Sequence, residues 1–117
     1  MTEKELIDWF NEKLNNCFLY KNYTYLYYIY DKNYMRKKKL AEIENKTIDI
    51  PNKIYKHKIL FKIMDYNVYD GVFSLYINSN VWKHIEDQIG AGNVVDFITK
   101  LLPDELKRFR VINGSLF

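Results

Sequence analysis

Apolar positions recur with a helical period at the start of the chain. Leu6, Phe10 and Leu14 fall at i, i+4 and i+8 with Trp9 beside them, while Glu3, Asp8, Glu12 and Lys13 are left towards water. Thr2 followed by Glu5 has capping-box spacing, so the pattern predicts a helix over residues 3–16. The period then changes. From Phe18 to Tyr30 aromatic and β-branched residues occur at high density, which favours strand, with Asn22 marking a bend. Tyr23, Tyr25 and Tyr27 fall on one face and Leu26, Tyr28 and Tyr30 on the other. Asp31-Lys32-Asn33 reads as a tight turn into a second strand over about 34–44, and 45–55 as a connection.

A second hairpin is clearer. Ile59, Phe61 and Ile63 alternate with Leu60, Lys62 and Met64; beyond a turn near Asp70-Gly71, Phe73, Leu75 and Ile77 alternate with Ser74, Tyr76 and Asn78. One apolar face per strand predicts a sheet covered on one side. A helix follows, capped by Ser79 or Asn80, with Val81, Ile85 and Ile89 in a stripe and Trp82 adjacent. Gly90-Ala91-Gly92 ends it. Asn93 caps a further helix carrying Val94, Phe97, Ile98, Leu101 and Leu102. Pro103 suits the first turn of a short additional helix, and Val111 to Phe117 either adds an edge strand or frays. The expected architecture is a single α+β domain, 1–117. It has an N-terminal helix, a four-stranded antiparallel sheet from two hairpins and a C-terminal helical pair on one face.

Composition narrows the class. At 117 residues the chain suffices for one core without staples, and its apolar content argues against disorder. No apolar run approaches a membrane span of about 20 residues, and the charged N-terminus lacks the apolar centre of a signal peptide. The expectation is therefore no membrane partner. Cys17, the one cysteine, suits a reducing compartment: the cytoplasm or the interior of an infected host cell. The thiol reads as a small buried hydrophobe rather than a nucleophile. Phe, Tyr, Met, Ile, Asn and Lys dominate, and alanine occurs only at Ala41 and Ala91. These are the residues of AT-rich codons, and in composition the chain resembles small proteins of AT-rich viruses and mobile elements.

The net charge of +3 is modest, so placement matters more than total. Seven tyrosines lie between Tyr20 and Tyr34, and Arg36-Lys37-Lys38-Lys39 follows directly. Aromatic faces stack on bases and cations hold phosphates, so nucleic acid is the favoured partner. In that reading Arg36, Lys37, Lys38 and Lys39 hold phosphates while Tyr28 and Tyr30 stack. A protein partner is the rival, because aromatic side chains are enriched at interface hot spots. A host-blocking inhibitor or adaptor, or a small virion component, would use the same tyrosines.

Two local resemblances add to this. Ser74-Leu75-Tyr76-Ile77-Asn78, a helix from Val81 to Ile89, a glycine turn and a helix from Asn93 to Leu102 together resemble a ribbon-helix-helix unit. The resemblance implies a homodimer whose paired strands enter the major groove, with Ser74, Tyr76 and Asn78 reading bases. Asp31 followed by Glu44-Asn45-Lys46 resembles the D…E-x-K order of restriction-endonuclease-like folds. That implies a nuclease in which Asp31 and Glu44 hold Mg²⁺ and Lys46 stabilises charge at the scissile phosphate. Outside that resemblance no residue is assigned to catalysis, to a metal or to a cofactor. His57 and His84 are not at metal-ligand spacing from Cys17 or from each other.

Overall fold

Thr2 and Glu5 form the expected capping box: the Thr2 side chain accepts from the Glu5 N–H at 3.1 Å, and Glu5 reaches back to the Thr2 N–H at 3.4 Å. Helix α1 (Glu3–Asn15) starts there and buries Leu6 and Phe10. The computed structural model describes residues 1–22, 25–64 and 74–114. The turn near Asp70-Gly71 and the Phe73 side chain lie outside these residues. Five strands form one mixed sheet in sequence order: β1 (Cys17–Asn22), β2 (Tyr25–Tyr30), β3 (Ile59–Met64), β4 (Ser74–Asn78) and β5 (Arg110–Gly114). The first four pair antiparallel, and β5 runs parallel to β4. Between β4 and β5 lie α3 (Ser79–Ile89) and α4 (Val94–Leu101), so the α+β architecture has a five-stranded sheet where four strands were expected.

The first hairpin differs from expectation. The tyrosine segment itself folds back, pairing Phe18 with Ile29 and Tyr20 with Tyr27. Residues 34–44 form a helix, α2 (Lys32–Ile43), where a second strand was expected. The reason is local. Asp31 takes the N-cap, accepting from the Tyr34 N–H at 2.9 Å, and Met, Arg, Lys, Leu, Ala and Glu that follow are good helix formers. Tyr34, Met35, Lys38 and Ala41 then make the inward stripe, with Arg36, Lys37 and Lys39 outward.

The second departure is a one-residue bulge in β3. Tyr28 pairs with Phe61 but Ile29 pairs with Ile59, so Leu60 is inserted. Leu60 and Phe61 consequently join the same core as Ile63, and Ile59 turns to the opposite face. Strict alternation had placed Leu60 outward and Ile59 with Phe61. The main core fills the space between the sheet and α1, α3 and α4, where Phe61, Leu75, Ile77, Ile85, Val94 and Ile98 are fully buried. Phe10 meets Phe97 edge-on at 6.1 Å between ring centres, tying α1 to α4. A smaller core lies on the other face, where Tyr34, Met35 and Ile54 cover Phe18, Ile29 and Ile59. Phe18 and Tyr34 rings sit 4.6 Å apart and dock α2 there.

Asn78, expected to point outward as a base reader, is buried and capping α3. Its Oδ1 accepts from Asn80 N–H at 2.8 Å and Val81 N–H at 3.4 Å, and its Nδ2 donates to the Ile59 carbonyl at 3.0 Å. Asn78 therefore replaces Ser79 and Asn80 as the cap. Asn93 makes no side-chain cap on α4; its Nδ2 closes α3 by donating to the Ile89 carbonyl at 2.7 Å. Gly90 turns the chain out of α3 at φ +89°, a conformation that glycine adopts without strain.

Asn78→Ala removes a helix cap and leaves a strand carbonyl without its side-chain donor. The expected cost is about 1–3 kcal/mol, read as a lower urea midpoint with an unchanged slope.

Candidate nucleic-acid interface

The register carries one row of outward side chains across the sheet. Tyr20 pairs with Tyr27, Tyr27 with Lys62, Lys62 with Tyr76 and Tyr76 with Ile112. Five strands at about 4.8 Å spacing make this row about 19 Å long. All five side chains are half-buried, whereas their strand neighbours Phe61, Ile63, Leu75 and Ile77 point into the main core. Tyr25 stands in the next row towards Met64. Ser74 and Arg110 are paired on the same face at the far side of Tyr76.

Ring geometry makes the patch one surface. The Tyr27 ring is 6.3 Å from Tyr20 and 6.1 Å from Tyr25, each tilted by 33°. Lys62 Nζ lies 5.0 Å from the Tyr25 ring centre and 5.8 Å from that of Tyr76, within cation–π range of both. Burial first, then the neighbouring Tyr25 and Tyr20 phenols, pushes the Tyr27 hydroxyl above its usual pKa. The face therefore presents aromatic rings around Lys62.

Helix α2 borders this patch. It docks over Phe18, two residues and about 7 Å along β1 from Tyr20. Arg36, Lys37 and Lys39 are exposed and Lys38 is half-buried. Among the described residues these four make no ion pair, in contrast to Lys32, Lys46, Lys58, Lys83 and Lys107. The cations thus lie on a helix beside the aromatic face, where a strand of the same hairpin had been expected.

Other expected site residues lie elsewhere. Tyr28 and Tyr30 lie on the helix-covered face of the sheet. The Tyr28 ring packs on Phe61 at 4.4 Å, and burial raises its pKa. The Tyr30 hydroxyl donates to Glu12 Oε1 at 2.9 Å, and Lys13 Nζ sits 4.6 Å from its ring centre. Burial, then that bond, pushes the Tyr30 phenol up to about 12. Of the three strand positions suggested by the ribbon-helix-helix resemblance, Ser74 and Tyr76 are on the open face and Asn78 is not. Strand β4 is paired on both sides, by β3 and β5, so it has no edge for a partner's strand.

The nuclease constellation does not assemble. Asp31 is the N-cap and Glu44 the C-cap of α2, thirteen residues apart on one helix and hence separated by about 20 Å. Asp31 instead pairs with Lys58 at 3.6 Å, and Glu44 with Lys46 at 3.4 Å. The two carboxylates cannot share one Mg²⁺ in this fold. Among the described residues no group of three His, Cys, Asp or Glu could hold a metal ion, and no helix is long and apolar enough to cross a membrane.

Tyr20, Tyr25, Tyr27, Lys62 and Arg110 were not singled out from the sequence as site residues. Their period-two spacing was visible, but which face stays open depends on where α1 packs. Comparison with known proteins gives no matching family model, no matching curated protein and no matching solved structure.

Cys17 is half-buried, and its thiol donates to the Lys13 carbonyl at 3.1 Å. Burial pushes its pKa up to about 12. At pH 8 the folded protein should react with a disulfide reagent on the order of a hundredfold or more slower than the urea-unfolded chain, since only the thiolate attacks. Equal rates would place the thiol at the surface.

Proposed function

We propose that this protein is a non-enzymatic nucleic-acid-binding domain that holds single strands on the open face of its sheet. The observation carrying the proposal is the Tyr20–Tyr27–Lys62–Tyr76 row, with Tyr25 beside it, next to a helix bearing four cations that make no ion pair among the described residues. Half-exposed rings offer faces to unstacked bases, and a flanking basic surface follows the phosphates. A flat aromatic sheet suits single strands, because bases inside a duplex have their faces occupied. Ser74 and Arg110 extend the surface with a hydroxyl and a cation at one end. On composition alone, a virus or mobile element is the source we propose.

A second reading is supported by one observation. Leu40 and Ile43 are 58% and 80% exposed on α2, beside Arg36 and Lys39. An apolar strip between cations also fits a protein partner with an acidic rim, as an inhibitor, adaptor or virion component would have. Salt separates the two readings: phosphate-driven binding weakens steeply with salt, whereas a protein interface with an apolar centre persists.

Labelled single-stranded DNA, RNA and duplex DNA, titrated without Mg²⁺ at two salt concentrations, test the proposal. Salt-sensitive binding with a preference for single strands is expected. Tyr76→Leu keeps a sheet-compatible side chain but removes a stacking face, and should weaken binding by about 1–3 kcal/mol. The Lys37, Lys38, Lys39→Ala triple variant should bind more weakly with a shallower salt slope. Absence of binding at low salt, or parental behaviour of both variants, would overturn the assignment.

A further inference from the structure

We infer that the cavity between α1, the 56–58 turn and the start of α3 is a binding pocket for a phosphate monoester. The cavity measures about 290 Å³ and lies where β2 and β4 end and β3 begins, across the sheet end from the tyrosine row. Lys13, His57, Lys58 and His84 line it together with Tyr30 and Asn80, and no carboxylate does so among the described residues. Two ammonium groups and two imidazoles around one hollow form a donor set for a doubly charged tetrahedral anion. Lys58 is shared with Asp31 at 3.6 Å, so Lys13 brings the charge that has no carboxylate partner among the described residues.

The lining is held in place. Lys13 Nζ is fixed over the rings of Trp9 at 5.0 Å and Tyr30 at 4.6 Å and forms no ion pair among the described residues. His84 stacks on Trp9 with ring centres 4.2 Å apart, and its Nε2 is buried with no hydrogen-bond partner among the described residues. Such orphaned atoms are rare in folded proteins and call for an explanation. Nearby negative charge is already engaged. Asp31 pairs with Lys58 at 3.6 Å, and Glu12 accepts from Tyr30 and lies 3.7 Å from Lys32. The amides of Asn80 and Val81 are taken by Asn78, so side chains rather than an open helix end would hold the anion.

The ligand could come from two sources sharing this chemistry: a free nucleoside monophosphate, or the terminal phosphate of a nucleic acid. Neither depends on the open sheet face, so this pocket and the tyrosine row stand or fall separately. The test follows the imidazole signals of His57 and His84 by NMR while inorganic phosphate, and then adenosine 5′-monophosphate, is added. Oligothymidylate with a 5′-phosphate is compared with its 5′-hydroxyl counterpart. Saturable shifts of His84 are expected, weakened about tenfold in Lys13→Gln by loss of a charge-assisted contact. Lys58→Gln should weaken binding as well, and Lys83→Ala, whose lysine pairs with Asp87 on the exposed side of α3, should not. Thermal midpoints near the parental value would show that the variants fold. A 5′-phosphate preference lost in Lys13→Gln would identify the terminal phosphate as the source; monophosphate binding without that preference would identify the free ligand. No shift of His84 with either probe, or parental affinity in both Lys13→Gln and Lys58→Gln, would overturn the pocket.

Discussion

The bulge at Leu60 sets the relation between the two faces of the sheet. Without it, period two would send Ile59, Phe61 and Ile63 to one side and Leu60, Lys62 and Met64 to the other. With it, the central strand gives Leu60, Phe61 and Ile63 to the main core and Ile59 to the small core, and still presents Lys62 outward. Both hydrophobic clusters therefore meet on β3. One is closed by three helices, the other by α2 and Ile54. The same inserted residue fixes Lys62 between Tyr27 and Tyr76. A one-residue slip would exchange the ammonium for a core side chain.

This unequal covering gives the tyrosines two different tasks. Tyr28 packs as a large apolar body against the main core and Tyr30 lies against α1, its hydroxyl satisfied by Glu12. Tyr20, Tyr25, Tyr27 and Tyr76 remain half-exposed around Lys62. Helix α2 packs over the small core of Phe18, Ile29 and Ile59, against which Tyr20 and Tyr27 also lie, and so brings its cations to the border of the aromatic face. The functional proposal rests on this combination. Either feature alone, a basic helix or a tyrosine-rich strand, is common in ordinary folds.

Locally determined features were legible in the sequence. The Thr2–Glu5 capping box, the alternation of Leu75 and Ile77 with Ser74 and Tyr76, and the separate apolar stripes that bury Ile85 on α3 and Val94 and Ile98 on α4 each depend on neighbours within a few residues. Features set by distant contacts were not. Residues 34–44 carry Tyr34 and Met35, which suit either strand or helix, and four cations that fit an exposed strand edge as well as a helix face. The Asp31 cap and the docking of Tyr34 on Phe18 decide the matter. The parallel pairing of β5 with β4 brings Arg110 beside Ser74 across the two intervening helices, a relation no local pattern encodes. Of the residues named from the sequence, Tyr76 and Ser74 lie on the open face, whereas Tyr28 and Tyr30, named in place of Tyr25 and Tyr27, do not. Both pairs alternate equally well, and only the packing of α1 shows which pair is covered.

The central claim is that the open face, and not the helix-covered face, takes the nucleic acid. NMR of selectively labelled tyrosine rings and lysine side chains, recorded as a 5′-hydroxyl single-stranded oligonucleotide is added, addresses it residue by residue. The account predicts that Tyr20, Tyr25, Tyr27, Tyr76 and Lys62 shift together with the α2 lysines, while Tyr28 and Tyr30 stay in place. Shifts confined to Tyr28, Tyr30 and the lysines of α1, α3 and α4, with the open-face rings unmoved, would contradict it.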